Sequence, residues 1–358
     1  MKLNCVLFIP VSSSSGIGEY MRSLIIAKAL KIRWPNISIH FILNKQVSYF
    51  NDCPYIVHGC QNSPTKDTAT VNRIIEQVSP NLVIFDASGR AAQFKKAKAT
   101  GAKVAFISQH NKKRSRGLKL NRLASTDIHW VAQPDYCIKP ISLWQRVKLA
   151  LFNKKAPKNL GPVFELSSDE YQAKLLVRYD LVRENYLVFN AGSGGHLVSG
   201  KLAADIYYQA AQEFYLQTGI QCIVIFGDNY PKELPENNDI ICIKSITNKD
   251  FISLIIAAQA CVISAGDTLL QCITLHKPCV AAPVSPDQPM RLKLCQAKRL
   301  VLAAAPLSES LVLQAKRLIT QNERQALLNN MAKQAPLNAL ELIVEDIASL
   351  FTFDQKTQ

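Results

Sequence analysis

SAGDTLLQCITLHKPCVAAPVSPDQ, residues Ser264 to Gln288, follows directly on the apolar run Ala260-Cys261-Val262-Ile263. The run is too short for a buried helix and reads as a strand. Ser264-Ala265-Gly266-Asp267-Thr268 then reads as a turn that opens a helix, since small and hydroxyl-bearing residues fit a helix N-terminus. Lys277-Pro278 ends that helix. Cys279-Val280-Ala281-Ala282 is a second apolar run, and Pro283 to Gln288 is a loop of small and polar residues. The order strand, turn, helix, strand is half of a parallel βαβ arrangement, with the loops at both strand ends decorated by polar groups.

The same grammar recurs outward in both directions. Strand-like runs fall at Cys5–Pro10, 37–43, 82–85 and 104–108, and again at Tyr186–Asn190, 222–226, 239–243, 261–264 and Cys279–Ala282, with helical patterns between them. Near-continuous apolar strands alternating with helices predict parallel sheets covered on both faces. Each half opens on a strand followed by a Gly-rich turn: Gly16-Ile17-Gly18-Glu19, then Gly192-Ser193-Gly194-Gly195-His196. The expected fold class is therefore α/β, with two doubly wound Rossmann-like domains facing a cleft. Gly161-Pro162 breaks any regular element, so the domains are expected to span 1–162 and 163–358. The last helical pattern, 337–351, is expected to pack back across the first domain.

The 358 residues suffice for two such domains. No apolar run approaches the ~18 residues of a membrane span, and the N-terminal apolar run reads as a first strand rather than a signal peptide, because a Gly-rich turn and a helix follow at once. The ten cysteines are scattered, without a CxxC pair. They read as small core residues of a reducing cytoplasm, and no metal site is expected. Charge is divided unevenly. Residues 1–163 hold 25 Lys and Arg against 7 Asp and Glu, and residues 164–358 hold 17 against 20. The first half is expected to meet an anionic partner.

A Gly-rich turn opening a helix presents backbone N–H groups and the positive end of the helix dipole, where a phosphate fits. Gly16 and Gly18 form one such turn, although Tyr20 spoils the full dinucleotide fingerprint. Gly192, Ser193, Gly194, Gly195 and His196 form a second, and Ser264, Gly266, Asp267 and Thr268 a third. Gln271 lies on the helical face of Thr268, within reach of a ribose. Asp287 and Gln288 are placed to read sugar hydroxyls. Each turn taken alone is also what a strand–helix junction needs for purely structural reasons.

VISAGDTLLQCITLHKPCVAAPVSPDQ resembles the donor-binding segment of GT-B glycosyltransferases, above all those that form lipid II and their diacylglycerol glucosyltransferase relatives. SGIGEYMRSLIIAKAL and LVFNAGSGGH are similar to that group's first Gly-rich turn and to the start of its nucleotide domain. The resemblance implies a nucleotide-sugar donor, UDP-linked, held by the second domain, and needs neither cofactor nor metal, since N–H groups and dipoles stabilise the departing diphosphate. The chain departs from the group at three places. Gln271 stands where a Glu holds the ribose, His276 where a Gly precedes the final x-Pro, and Glu19 where many relatives carry a His. A carboxylate at Glu19 can act as general base on an acceptor hydroxyl. The turn Gly-Ile-Gly-Glu-Tyr-Met-Arg also resembles that of the hydrolase releasing UDP from a bacillosamine-like sugar. A nucleotide-sugar hydrolase or epimerase, and a non-catalytic nucleotide-sugar-binding subunit of a membrane complex, therefore stay open beside the transferase.

Two basic stretches remain. His110 to Lys119 carries Lys112, Lys113, Arg114, Arg116 and Lys119 directly after a strand. In Ile141 to Lys155, Trp144, Val147 and Leu151 share a helical face, with Phe152 toward its edge and Arg146, Lys148, Lys154 and Lys155 beside or beyond it, the pattern of a helix lying in a membrane interface. A lipid-linked acceptor at the inner face of the cytoplasmic membrane, with the protein peripheral on an anionic surface, would account for it. Nucleic acid is not expected, because no DNA- or RNA-binding module pattern accompanies the charge.

Overall fold

The structure, a computed structural model, describes residues 2–11, 17–334 and 338–352. It divides into two compact units, Met1–Val163 with Asn338–Gln358, and Phe164–Leu337.

The first unit is built on a parallel sheet of β1 (Cys5–Pro10), β2 (Ser38–Asn44), β3 (Ile56–Cys60), β4 (Leu82–Asp86), β5 (Lys103–Ser108), β6 (Ile128–Val131) and β7 (Lys158–Asn159), in the order β3-β2-β1-β4-β5-β6-β7. Alternate residues serve opposite faces, as the strand period requires. Val6, Phe8, Phe41, Ile84 and Ile107 pack to one side, under Ile26 and Leu30 of α1 (Gly18–Arg33). Leu7, Ile9, Ile42, Phe85 and Phe106 pack to the other, against Ile74 and Ile75 of α2 (Thr68–Val78) and Phe94 of α3 (Ala91–Ala99). Burial on both faces explains why these strands read as unbroken apolar runs. Each fully buried aliphatic or aromatic side chain contributes roughly 1.5–3 kcal/mol. Three shorter helices follow, α4 (Asn111–Gly117), α5 (Leu120–Leu123) and α6 (Leu143–Leu151). Their shared apolar cluster is the small one of Leu118, Leu123 and Leu149.

The second unit holds α7 (Asp169–Arg178), β8 (Tyr186–Asn190), the hairpin β9 (Leu197–Val198) and β10 (Lys201–Leu202), α8 (Ala203–Thr218), β11 (Gln221–Ile225), β12 (Ile240–Ile243), α9 (Asn248–Ala257), β13 (Ala260–Ser264), α10 (Asp267–Thr274), β14 (Cys279–Ala282), α11 (Gln288–Ala297), β15 (Leu302–Ala303), α12 (Ser308–Leu318) and α13 (Gln321–Met331). Its main sheet is parallel, in the order β12-β11-β8-β13-β14-β15. In each unit the first main strand, β1 or β8, lies between the strand that follows it in sequence and one that returns from beyond. The strand order reverses there, and a crevice opens at the carboxyl ends, where doubly wound sheets bind ligands. The first two Gly-rich turns of the sequence follow these two strands.

The last helix, α14 (Ala339–Thr352), packs on α1 of the first unit with Ala339, Ile343 and Ile347 fully buried. Asp346 fixes it to the far edge of the sheet, accepting from Trp130 Nε1 at 2.9 Å and pairing with Lys158 Nζ at 2.9 Å.

His129, on β6, is 8% exposed and lies 2.9 Å from Ser108 Oγ through Nε2. Burial, with Arg114 adding to it, pushes its pKa down from 6.5 to about 3. The unfolded chain takes up a proton on this ring near pH 6.5, and the folded chain does so only near 3. Stability should therefore fall as the pH drops through that window, by up to ~1.4 kcal/mol per pH unit. Denaturant midpoints measured from pH 7 to 4 should show the fall in the wild type and a clearly flatter profile in His129→Gln. Parallel profiles would remove His129 as the source.

Candidate functional site

In the second unit, three turns converge at the carboxyl ends of β8, β13 and β14. The first, Ala191 to His196, is fixed by its glycines. Gly192 and Gly194 have φ of +96° and +93°, which L-residues rarely adopt. A Cβ on Gly194 would stand 2.5 Å from the Phe226 carbonyl oxygen, and one on Gly227 would stand 2.4 Å from the Ser193 carbonyl carbon. The turn is thus packed backbone to backbone against the loop after β11, and Asn229 N–H donates to Ser193 O at 2.8 Å. Asn190 holds the near side, donating to Gly192 O at 3.1 Å and accepting from Gly192 N–H at 3.1 Å.

The second turn, Ser264 to Gly266, leads into α10. Gly266 is its N-cap and supplies no side chain to the helix end. The third is the loop before α11. Gln288 is 5% exposed and accepts the Val284 N–H at 2.8 Å through Oε1. Its Nε2 is left beside Gly266, 3.5 Å from where a Cβ would stand there, and Ser264 Oγ lies 3.5 Å away on the same measure. Ser264 Oγ is also 3.4 Å, and His196 Cδ2 3.7 Å, from the Cβ position of Gly192. Gly192, His196, Ser264, Gly266 and Gln288 therefore surround one small space at the start of a helix. Backbone N–H groups, a hydroxyl and a carboxamide make it a cradle for an oxyanion.

The remaining expected donor residues take other positions. Ser193 and Gly194 shape the turn, and Gly195 is exposed. Thr268 is half-buried on the first turn of α10. Gln271, 8% exposed, offers a ribose little surface. Asp267 and Asp287 lie 3.4 Å and 3.9 Å from Arg291, whose Nη1 donates to Ala265 O at 2.9 Å. Ser285 Oγ donates to Asp287 at 2.6 Å. Arg291 thus ties the second and third turns together, a role that the sequence reading missed.

In the first unit, Gly16 lies outside the described residues. Gly18 is exposed and begins α1, with open space where a side chain would be. Glu19 follows, half-buried. With its carboxamide oriented to satisfy both neighbours, Gln109 donates to Glu19 Oε1 at 3.2 Å and accepts from Arg22 Nη1 and Nη2 at 3.1 and 3.0 Å. Arg22 in turn grips Asp86 bidentately, Nε to Oδ2 at 2.9 Å and Nη2 to Oδ1 at 2.6 Å. Asp86 is fully buried; burial pushes its carboxyl up to about 6, against the opposing pull of Arg22. Lys113 is near enough to feel both Glu19 and Asp86, and burial lowers its pKa. A carboxylate at a sheet's carboxyl edge is thereby set in a chain of hydrogen bonds and charges, the arrangement a proton-transfer group requires. Arg22, Asp86 and Gln109 were not singled out from the sequence, and Lys113 only as one of the cations in the basic stretch His110 to Lys119.

The helix α6 begins with a capping box, Ser142 and Gln145. At 100° per residue, Leu143, Val147, Leu151 and Trp144 fall within an arc of about 100°. Leu143, Trp144 and Leu151 are 76–77% exposed, and Val147 and Phe152 are exposed as well. Arg146 and Lys148 flank the arc on either side, while Leu149, opposite, anchors the helix in its small cluster. No helix among the described residues is long and apolar enough to cross a membrane.

No protein-family model matches the chain, and no curated protein matches it in sequence. Solved structures do. Glycosyltransferase VinC, in complex with dTDP, is similar over 96% of this chain and 98% of its own, with a TM-score of 0.63 and 14% identity. The chain has the GT-B fold. Its two parallel sheets match the two Rossmann-like domains of such proteins. The UDP-GlcNAc 2-epimerase from Neisseria meningitidis, bound to UDP-GlcNAc, covers 96% of this chain and 100% of its own at a TM-score of 0.60 and 12% identity. The glycosyltransferase SnogD from Streptomyces nogalater covers 98% and 99% at 0.60 and 14%. Transferases and 2-epimerases stand at the same distance.

Proposed function

We propose that the protein is a glycosyltransferase that takes a sugar from a nucleotide-sugar, UDP-linked, bound on the second unit and passes it to an acceptor bound on the first. The observation that carries the reading is the cradle of Gly192, His196, Ser264, Gly266 and Gln288 at the start of α10. Its hydroxyl, carboxamide and helix-start N–H groups suit a diphosphate, and it lies at the switch point of its sheet. The donor's diphosphate would sit on these N–H groups, which hold the charge that develops as the glycosidic bond breaks. Glu19 would take the proton from the acceptor hydroxyl. The exposed apolar face of α6, flanked by cations, favours a lipid-linked acceptor and a peripheral place at the cytoplasmic face of an anionic membrane.

A second reading has support in the same residues. Glu19, Gln109, Arg22 and Asp86 could equally move a proton to or from water or the donor's own sugar, as a hydrolase or 2-epimerase would. A hydrolase would release UDP with water in place of the acceptor, whereas an epimerase would return the nucleotide-sugar with one centre inverted and release none.

The donor site is tested by thermal stability in UDP, GDP, CDP, dTDP and their sugars. A ligand at 100 times its Kd adds roughly 2.7 kcal/mol. Gly266→Leu should crowd the cradle, where a Cβ makes ordinary contacts at 3.5 Å with Ser264 and Gln288, at a small cost in stability from the poorer N-cap. The expected result is that UDP stabilises the wild type and not the folded variant. Equal stabilisation of both would move the diphosphate elsewhere. No response to any nucleotide would overturn the function itself.

A further inference from the structure

The peptide between Ala265 and Gly266, in the second turn of the cradle, has its two polar ends treated differently. Ala265 is fully buried, so its backbone groups need partners within the protein. Its N–H donates to Ala282 O at 2.9 Å, which carries the β13–β14 ladder one residue further. Its carbonyl oxygen accepts from Arg291 Nη1 at 2.9 Å. In a trans peptide the C=O and the N–H point in opposite directions. An Ala265 carbonyl held by Arg291 therefore turns the Gly266 N–H away from that arginine. The Gly266 N–H has no acceptor among the described residues.

The turn does not keep this orientation by itself. Glycine takes up positive and negative φ about equally readily, so the plane of the Ala265–Gly266 peptide is free to turn over unless something outside it holds one end. Arg291 is itself held. It is 8% exposed, and Nη2 lies 3.4 Å from Asp267 Oδ1 and 3.9 Å from Asp287 Oδ2. Its Nε has no partner among the described residues. A neutral donor would serve the carbonyl with less loss of hydration. What the guanidinium adds is its two carboxylate anchors, which fix where the carbonyl is held and balance the charge.

Other unanswered donors stand at the same place. Gln288 and Arg291 are three residues apart on one face of α11. Gln288 puts its Nε2 beside Gly266 while Arg291 takes Ala265 O. Ser264, 2% exposed, has no hydrogen-bond partner for Oγ among the described residues. A hydroxyl, a carboxamide N–H and a backbone N–H are thus gathered at Gly266 with no protein group to receive them.

We propose that Arg291 is a positioning residue, which by holding Ala265 O aims the Gly266 N–H at the phosphate bound in the cradle. The inference rests on the reading of the cradle as a donor site for the identity of that phosphate. The N–H donates to an oxygen of the diphosphate, and the bond strengthens as negative charge gathers there when the sugar leaves. Arg291 acts through the peptide rather than as a cation on the phosphate.

The dipeptide Ala-Gly occurs in the chain at Ala191-Gly192 and Ala265-Gly266 and nowhere else. Full-length protein carrying ¹³C-carbonyl alanine and ¹⁵N-glycine therefore gives one carbonyl-filtered amide signal from each of the first two turns. In the wild type the Gly266 signal should be single, and UDP should move it downfield as the N–H meets a phosphate. In Arg291→Met the Gly266 signal alone should split or broaden before any ligand is added. It should no longer shift with UDP, and UDP should bind at least about tenfold more weakly by calorimetry. Asp267 and Asp287 are partly exposed and can turn to water, so this variant is expected to fold. Arg291→Gln, shorter and uncharged, is the second variant and should behave alike. Arg291→Lys keeps a donor for the carbonyl and should restore the single signal and most of the affinity. A single Gly266 signal that UDP still shifts in Arg291→Met would overturn the inference. Equal disturbance of Gly192 and Gly266 would overturn it too, since that marks general damage to the cradle. A wild type unmoved by UDP, whose Gly266 signal nonetheless splits in Arg291→Met, overturns the donor assignment and supports the hold of Arg291 on the peptide.

Discussion

Asp86→Ala is expected to destabilise the protein by about 3–5 kcal/mol, the cost of leaving one partner of a buried ion pair alone. Asp86 is fully buried and Arg22 is 5% exposed, so the abandoned guanidinium has little water to turn to. Both of its bonds to the carboxylate are short, at 2.9 and 2.6 Å. Arg22→Leu combined with Asp86→Ala should recover much of the loss, because removing both charges also removes their desolvation. Urea denaturation of wild type, single and double variants measures this directly. A loss in the single variant below about 1 kcal/mol, the worth of a surface pair, would show that water reaches the pair. The same pair holds Gln109 from below, so a destabilised Asp86 variant should also lose the orientation of Glu19.

Glu19→Gln should lower kcat by about 10²–10⁴-fold, the usual worth of a positioned general base. The amide keeps an oxygen to accept the Gln109 N–H but cannot take a proton. UDP affinity should change less than twofold, since no part of the cradle on the second unit is altered. Release of UDP from the sugar-nucleotide found in the stability panel gives the rate, measured in water and again with a membrane lipid extract as acceptor. A rate that rises with the extract and collapses in the variant supports the transferase. A rate indifferent to the extract, but still lost in the variant, supports the hydrolase reading; an inverted nucleotide-sugar formed without UDP release supports the epimerase. Undiminished turnover would take Glu19 out of the chemistry.

The sheets were legible because burial on both faces writes itself as unbroken apolar runs. β1, β8 and β14 fall where the runs Cys5–Pro10, Tyr186–Asn190 and Cys279–Ala282 placed them. β3, β6 and β7 were missed. Ile56 to Cys60 is an edge strand carrying His58 and Gly59, Ile128 to Val131 is four residues long, and Lys158-Asn159 has no apolar residue at all. The Gly-rich turns were visible as glycines, yet the reason for Gly194 and Gly227 lies in two backbones meeting from strands far apart in sequence. Polar networks were the least legible. Asp86 looks like the end of a strand and Arg22 like a blemish on an apolar helix face; 64 residues separate them. Only the fold shows that each explains the other. The apolar face of α6 was readable, because a helix presents its period whether or not anything covers it.

The return of α14 to the first unit has a consequence for how the protein comes to be made. Residues 164–337 are, in effect, an insertion within the first unit, and the chain passes between the two units twice. On the ribosome, the second unit can complete itself while the first still waits for its last helix. Until Ile343 and Ile347 arrive, the face of α1 that they cover stays open to water, and Trp130 and Lys158 lack Asp346. The half that carries Glu19 is therefore finished last, and a chain cut short anywhere before Ala339 would display a sticky apolar surface to whatever in the cell surveys unfinished proteins.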